Sequence, residues 1–253
     1  MLRLTIAQSY TAPTKHHLGP TTPACARGDS KFATHLTQLM HIPDGFISPQ
    51  TYLPAYAVAV GLWAYAARRV KRDLDADTLP FLAAYTALSF VLMMVALPVP
   101  GGTTVHAAGI GLLAVSFGGW MAFLAVSLVL AMQALLFGDG GITALPINAL
   151  AMGFIGSFAA LAAWKTLGRL NETVALFFAG WLSIALPALL VALALGVQPL
   201  IAHDAQGAPL FFPFGLSVTL PAVVLPHLLV GLAEGVLTVL GFRYLTRLRA
   251  RLA

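Results

Sequence analysis

The sequence predicts an all-α, polytopic membrane protein of about seven transmembrane helices, and three observations support that prediction. Hydrophobic residues make up 59% of the 253-residue chain and charged residues only 9%, whereas a typical soluble domain has about 25% charged residues. Seven apolar stretches follow one another after residue 50. Every Lys and Arg after Met40 falls into one of three clusters. These features exclude a soluble globular domain.

The seven apolar stretches lie at about 51–70, 80–98, 105–118, 120–137, 145–167, 172–197 and 217–245. A spanning helix needs about 20 mostly apolar residues, so the third stretch is predicted to be a short or broken helix packed against protein. The segment 98–104 contains two prolines and two glycines, and no helix should continue through it. Pro187, Pro221 and Pro226 fall inside later stretches and are expected to kink them.

The first 39 residues differ from the rest of the chain. They are polar, contain three prolines, and lack the apolar run of about 7–15 residues that a secretory signal needs. We interpret residues 1–39 as a disordered leader or the result of a misassigned upstream start, and residues 40–253 as a single transmembrane domain. Cys25, the only cysteine, lies in the leader, so neither an internal disulfide nor a cysteine-based metal cluster is predicted.

The basic residues determine the predicted topology. After Met40 they lie at 68–72, at 165 and 169, and at 243–251. With seven crossings all of them fall on one side, which the positive-inside rule makes cytoplasmic. The N-terminus of residues 40–253 is then outside, the C-terminus is cytoplasmic, and the protein is predicted to be multi-pass in the cell inner (plasma) membrane. The sequence pI near 9.7 therefore reflects topology and contact with membrane lipid, and no nucleic-acid partner is predicted.

The outer loops of this topology carry imidazoles and carboxylates but no Lys or Arg. These groups are His41, Asp44, His106, Asp139, His203 and Asp204. Such a surface suits the capture of a cation, and imidazole nitrogens favour the later first-row metals. Each group also has a structural interpretation. A histidine near a helix end commonly caps carbonyl groups or packs, and Asp139, between glycines, is suited to a turn with its own backbone.

The dipeptide Met40-His41 is a strong chelator if Met40 is the true N-terminus. The α-amine, the His41 amide nitrogen and the His41 imidazole then form fused chelate rings around one ion. Loss of the amide proton is promoted well by Ni²⁺ and Cu²⁺. A fourth nitrogen would complete the square plane typical of Ni(II) or Cu(II), and His106 is the best candidate. If residues 1–39 stay attached, the amine becomes a peptide bond and this donor is lost.

His227 and Glu234 fall inside the last apolar stretch. His227 and Glu234 are seven residues apart, which is two helical turns, so their side chains face the same way. Ionisable groups inside a membrane are costly and are often functional, which makes this pair a candidate intramembrane relay. A buried structural hydrogen bond, between them or to a neighbouring helix, is the alternative interpretation.

Four stretches together resemble the substrate-binding membrane component of energy-coupling-factor cobalt and nickel transporters, the CbiM/NikM family. They read MHIPDGFISP at 40–49, GGTTVH at 101–106, QALLFGDGGITAL at 133–145 and EGVLT at 234–238. The resemblance runs from Met40 to about residue 245. It implies a seven-helix subunit that captures Ni²⁺ or Co²⁺ from outside, binds it with Met40, His41 and His106, and carries no permanent cofactor.

The resemblance also implies partners. They are a separate small membrane auxiliary subunit, a transmembrane coupling subunit and cytoplasmic ATPase subunits.

Asp44, Thr103, Thr104 and Asp139 are expected to orient the metal ligands from outside the coordination sphere, although a serine would be expected in place of Thr104. The sequence has no GxxxxGK[ST] motif, so the chain is predicted to be a transport subunit of an ABC transporter and not an enzyme.

Two other functions are alternatives to metal capture on behalf of an energy-coupling-factor transporter. A stand-alone proton-coupled metal carrier would use His227 and Glu234 as its proton relay. An intramembrane metal-dependent hydrolase would need a catalytic metal centre, and the sequence contains no HExxH motif. Within the leading interpretation nickel is favoured over cobalt, because square-planar nitrogen ligation suits Ni(II).

Overall fold

A computed structural model describes residues 41–99 and 103–252. The predictions for the leader 1–39 and for Met40 therefore lie outside the described residues. The elements in chain order are α1 (Pro49–Asp73), α2 (Thr78–Met93), β1 (Leu97–Val99), β2 (Thr103–Val105), α3 (Ile110–Phe117), α4 (Gly119–Phe137), α5 (Leu145–Leu167), α6 (Glu172–Gly196), α7 (Gln198–Ile201) and α8 (Leu216–Leu252). The end of α4 (Gln133–Phe137) and the middle of α5 (Ala149–Gly156) are π-helical.

The mostly helical architecture is confirmed, and each of the seven apolar stretches contains a helix. In the described part of the chain, four helical segments are long and apolar enough to cross a membrane: α4, α5, α6 together with α7, and α8. The helix α1 has 25 residues but is rich in Tyr, Trp and Pro, which lowers its hydropathy. The helix α3 has only eight residues, or about 12 Å, so the third stretch is short as predicted.

The predicted boundaries around the third stretch were wrong. The stretch 80–98 is helical only to Met93, and the stretch 105–118 becomes helical only at Ile110. Between them β1 and β2 pair as an antiparallel hairpin, with Leu97 opposite Val105. Pro98 cannot donate the hydrogen bond that a helix needs, and the β-branched residues of the hairpin favour extended backbone. Gly109, with a φ of +66°, then turns the chain into α3.

The helices of the core pack with their backbones very close to one another. A Cβ atom built on Gly111 of α3 would lie 2.6 Å from the Cα atom of Gly180 in α6. A Cβ atom on Gly156 of α5 would lie 2.8 Å from the carbonyl oxygen of Ser183 in α6. Backbone contact through small residues is typical of helices that associate in membranes. Among the described helices, α6 and α8 form the most extensive interhelical contact.

Three of the segments predicted to lie on the outer side, 41–48, 138–144 and 198–216, lie together at one end of the helices. The Gly141 N–H donates to the Ile42 carbonyl at 2.9 Å, and the Phe212 N–H donates to the Phe46 carbonyl at 3.3 Å. The Ser48 N–H donates to the buried side chain of Gln198 at 2.9 Å. The segment 41–48 is thereby held between the 138–144 loop and the 198–216 loop.

Candidate metal-binding site

His41 begins the segment 41–48 at this end of the molecule. Its side chain is 1% exposed, and neither ring nitrogen forms a hydrogen bond to another described residue. Its Nδ1 atom lies 3.4 Å from Oδ2 of Asp139. Its ring centroid lies 5.1 Å from that of His106, with an angle of 61° between the ring planes. Buried polar atoms without hydrogen bonds are rare, and here they belong to a good metal donor.

The backbone next to His41 is fixed by Asn148 and by the 138–144 loop. The Ile42 N–H donates to Asn148 Oδ1 at 3.4 Å, and Asn148 Nδ2 donates back to the Ile42 carbonyl at 3.2 Å. Gly140 has a φ of +81°, and a Cβ atom there would lie 3.1 Å from the Cβ atom of His41. The glycines of this loop therefore leave the room that the His41 side chain occupies.

Asp44 ties the same two segments together but does not reach the imidazoles. Its Oδ1 atom accepts the Thr143 N–H at 2.8 Å, and its Oδ2 atom accepts the Ile142 N–H at 3.2 Å. Burial acts to raise the pKa of Asp44, but the hydrogen bonds from Thr143 and Ile142 outweigh it, so the pKa lies below its ordinary value. Asp44 is therefore an anionic side chain whose hydrogen bonds fix the loop around His41.

His106 follows β2 and precedes α3, and it is 4% exposed. Its Nδ1 atom lies 3.3 Å from the carbonyl oxygen of Ala107. Burial, with smaller contributions from His41 and His227, lowers the pKa of His106 to about 3. The imidazole is therefore neutral at physiological pH, which is the form that binds metals. Thr104 is buried beside it, while the side chain of Thr103 lies outside the described part of the structure.

A cavity of about 460 Å³ adjoins the two histidines. It lies between α5, α6, α8 and the segment 41–48, and most of its wall is apolar. Its polar lining residues are His41, Thr104, His106, Asn148, Thr219 and His227. The structure therefore brings a third imidazole, from the middle of the predicted last span, to the same cavity as the two predicted ligands.

His227 and Glu234 of α8 have different partners. The Nδ1 atom of His227 lies 2.7 Å from the carbonyl oxygen of Val223, one helical turn earlier. Glu234 is fully buried, and its carboxylate accepts the N–H groups of Ala108 and Gly109. The relay between His227 and Glu234 stays a prediction, and the geometry gives Glu234 a separate contact with the backbone beyond His106.

The last two predicted outer groups lie away from the site. His203 is exposed, and its Nδ1 atom lies 3.2 Å from the Asp204 carbonyl oxygen. Asp204 accepts the N–H groups of Gln206 at 2.9 Å and Ala208 at 2.7 Å. These contacts form a turn of their own, so the structure does not bring His203 and Asp204 to the two buried imidazoles.

The described residues include only part of the predicted coordination sphere. Within residues 41–99 and 103–252, no three His, Cys, Asp or Glu side chains are grouped closely enough to hold a metal ion. His41 and His106 provide two imidazoles. The other two predicted nitrogens are the Met40 amine, which lies outside the described residues, and the His41 amide, which is not a side chain.

Sequence reasoning missed two residues that shape the site. Asn148 is 3% exposed and Gln198 is fully buried, and both hold the backbone of the segment 41–48. Both are amides inside or beside long apolar stretches. A polar side chain in such a stretch is costly in a membrane, and that cost was the signal that could have identified them.

Comparisons with known proteins show the family to which the chain belongs. The family described as the cobalt uptake substrate-specific transmembrane region, CbiM, matches residues 41–252. The chain belongs to this family. The resemblance seen in the four sequence stretches is thereby confirmed.

Relatives of known name support the same placement. The fused nickel transport protein NikMN of Rhodobacter capsulatus is 45% identical over 206 residues, which are 79% of this chain and 59% of that protein. The cobalt transport protein CbiM of Roseiflexus is 31% identical over 219 residues, which are 85% of each chain. This chain spans less than two thirds of the length of two fused relatives, NikMN and LarMN.

A solved structure has the same fold. The crystal structure of a truncated transition metal transporter matches with a TM-score of 0.78 and 42% identity, covering 82% of this chain and 99% of that one. At this level of identity the likeness extends beyond the backbone to much of the sequence. The relatives and the solved structure are all named for transport.

Proposed function

We propose that this chain is the substrate-capture subunit of an energy-coupling-factor ABC transporter that imports a divalent transition metal, with Ni²⁺ favoured over Co²⁺. The observation that carries the proposal is the pair of buried imidazoles, His41 and His106, with ring centroids 5.1 Å apart. The family match and the names of the nickel and cobalt transport relatives support it. The metal is the substrate of the protein and not a resident cofactor.

The proposed coordination sphere has four nitrogens. The Met40 amine, the His41 amide and the His41 imidazole come from the chain start, and the fourth nitrogen comes from His106. Asp139 lies beside the His41 ring and adds negative charge that favours a cation. A square plane of four nitrogens suits Ni(II) better than Co(II), which is the chemical reason to favour nickel. The proposal requires a free amine at Met40.

The proposed topology places the imidazole site outside and the C-terminus in the cytoplasm, with seven helical segments. Basic residues lie in the last turns of α1, α5 and α8. The segments before α1 and α8 line the cavity of the histidines, so the basic turns lie at the other ends of those two helices. Separation of the basic residues from the site along the helices supports a cytoplasmic location for them.

The proposed partners are a separate small membrane auxiliary subunit, a transmembrane coupling subunit and cytoplasmic ATPases. The fused relatives extend well beyond the region that matches this chain, which supports a further component. The sequence has no GxxxxGK[ST] motif, and this is consistent with ATP hydrolysis by another subunit. Capture by this chain and energy input by its partners would together make the importer.

Substitution of the two imidazoles tests the site. In the chain that begins at Met40, His41→Ala and His106→Ala should each weaken nickel binding by more than about 100-fold, because removal of a ligand exceeds the usual effect of an outer partner. Titration calorimetry of detergent-purified protein measures the affinity, and circular dichroism checks the fold. His203→Ala is the matched control and should bind like the wild type. Wild-type affinity in both site variants would refute the proposed site.

A further inference from the structure

We propose that Glu234 is a positioning residue for His106, because its carboxylate fixes the backbone turn that follows His106 to helix α8. The inference rests on the proposed function, since it concerns the geometry of one of the proposed ligands. Glu234 does not touch the metal in this proposal. It acts through the residues 106–109.

The contacts of the Glu234 carboxylate carry the proposal. Glu234 is fully buried on α8, more than 120 residues along the chain from the turn that it contacts. Its Oε1 atom accepts the N–H groups of Ala108 and Gly109, the latter at 2.9 Å, and its Oε2 atom lies 3.2 Å from the Gly109 nitrogen. Hydrogen bonds from backbone N–H groups to a carboxylate are among the stronger ones in proteins.

The same turn is held from the opposite side by α2. The Ser89 hydroxyl donates to the Ala108 carbonyl oxygen at 2.6 Å, and Ser89 is 1% exposed. The N–H and the carbonyl of Ala108 are thus bound by side chains from two different helices. Because Nδ1 of His106 lies 3.3 Å from the carbonyl oxygen of Ala107, a shift of this turn is expected to move the ring.

The packing around Glu234 leaves little room for compensation. A Cβ atom on Gly111 would lie 2.6 Å from the Gly180 Cα atom, and a Cβ atom on Gly180 would lie 2.5 Å from Oγ1 of Thr238. Thr238 lies one helical turn after Glu234. The backbones of α3, α6 and α8 therefore meet at the level of the carboxylate. A change in the carboxylate is expected to move the 106–109 turn, because dense packing transmits such shifts.

The consequence concerns ligand geometry. A metal ligand must be held close to its productive position, and groups that orient a ligand typically change metal affinity by about 10–100-fold when removed. Replacement of the carboxylate by an amide keeps the side-chain volume. The amide exchanges one acceptor oxygen for a donor that faces the Gly109 N–H. Two donors facing each other should displace the turn and the His106 ring with it.

The test compares nickel binding by the wild type and by Glu234→Gln, both in the chain that begins at Met40. We expect the variant to bind nickel about 10–100-fold more weakly, with unchanged helical content and elution volume. The visible ligand-field absorption of the bound nickel should also shift, which a purely structural role would not cause. Ser183→Ala is the control, because Ser183 is equally buried but bonds within its own helix to Gly180 at 2.7 Å.

The outcomes separate this inference from the proposed function. If Glu234→Gln binds nickel with wild-type affinity and spectrum while His106→Ala does not bind, the positioning role is wrong and the site stands. If both variants bind like the wild type, the proposed site itself is wrong. If Glu234→Gln does not fold, Glu234→Asp decides, because its shorter carboxylate should also weaken binding. Failure of both Glu234→Gln and Glu234→Asp to fold would show a role in folding and overturn the positioning proposal.

Discussion

Asn148 illustrates, at the scale of single residues, how the fold holds the segment that carries His41 in place. Its side-chain amide both accepts from and donates to the backbone of Ile42, the residue after His41. A buried amide with both groups satisfied fixes a backbone position in a way that an apolar side chain cannot. The two proposed ligands thus depend on residues that lie far away in sequence, Asn148 for His41 and Glu234 for His106.

Asn148→Ala should weaken both the fold and nickel binding. The buried Ile42 N–H loses its partner, which is expected to cost about 1–3 kcal/mol of unfolding free energy, and nickel affinity should fall by roughly 10–100-fold. Asn171→Ala is the matched control. Asn171 caps α6 by accepting the Val174 N–H at 3.1 Å, so its loss should cost about 1 kcal/mol but leave nickel binding unchanged. Equal nickel affinities in the two variants would contradict the role of Asn148.

At the same scale, some site residues were predictable from the sequence and others were not. His41, His106 and Asp139 stood out as imidazoles and carboxylates in loops without basic residues, and the structure brings them together. Asn148 contacts Ile42 across 106 positions and Glu234 contacts Ala108 across 126 positions. Such pairings depend on tertiary packing and not on local spacing, so no sequence pattern revealed them.

Among the elements, the apolar helices were predictable and their short connections were not. The positions of the apolar stretches predicted the location of every helix of more than seven residues in the described part of the chain. The hairpin β1–β2 was missed because Val and Thr are apolar or neutral in a hydropathy plot, although their branching favours strands. The hairpin matters for the site because β2 ends at Val105, directly before His106.

The crossing of α3, α6 and α8 provides a test at this scale. Gly180→Ala would place a methyl group 2.5 Å from Thr238 Oγ1, and the overpacking is expected to cost about 1–3 kcal/mol of unfolding free energy. Gly61→Ala in α1 is the control, because a Cβ atom there meets nothing within 4 Å. That control should be neutral or more stable by up to about 1 kcal/mol, since alanine favours helix. Chemical unfolding in detergent measures both, and similar effects would refute the close crossing.

For the whole molecule, sidedness is the property that links the site to transport. The imidazoles and the loops at 138–144 and 198–216 share one end of the helices, whereas the basic turns of α1 and α8 lie at the other. If the first end faces outward, captured metal enters from outside and the basic residues meet the cytoplasm. Import then requires partners that move the captured ion inward.

Labelling of introduced cysteines tests this orientation. The chain that begins at Met40 lacks Cys25, so it contains no native cysteine. Gln206→Cys lies in the exposed turn after α7 and should react with a membrane-impermeant maleimide in intact cells. Leu170→Cys, at a position that is 83% exposed between α5 and α6, should react only after the membrane is permeabilised. The reverse pattern would place the site on the cytoplasmic side and contradict capture from outside.

Metal content tests the central claim most directly. Two versions of the chain, one beginning at Met40 and one keeping residues 1–39, would be loaded with equal nickel and cobalt and measured by elemental mass spectrometry. We expect about one nickel per chain, and little cobalt, only in the version with the free Met40 amine, because four nitrogens then complete a square plane. Equal loading of both versions would show that the amine is dispensable. The site built on Met40, His41 and His106 would then be wrong.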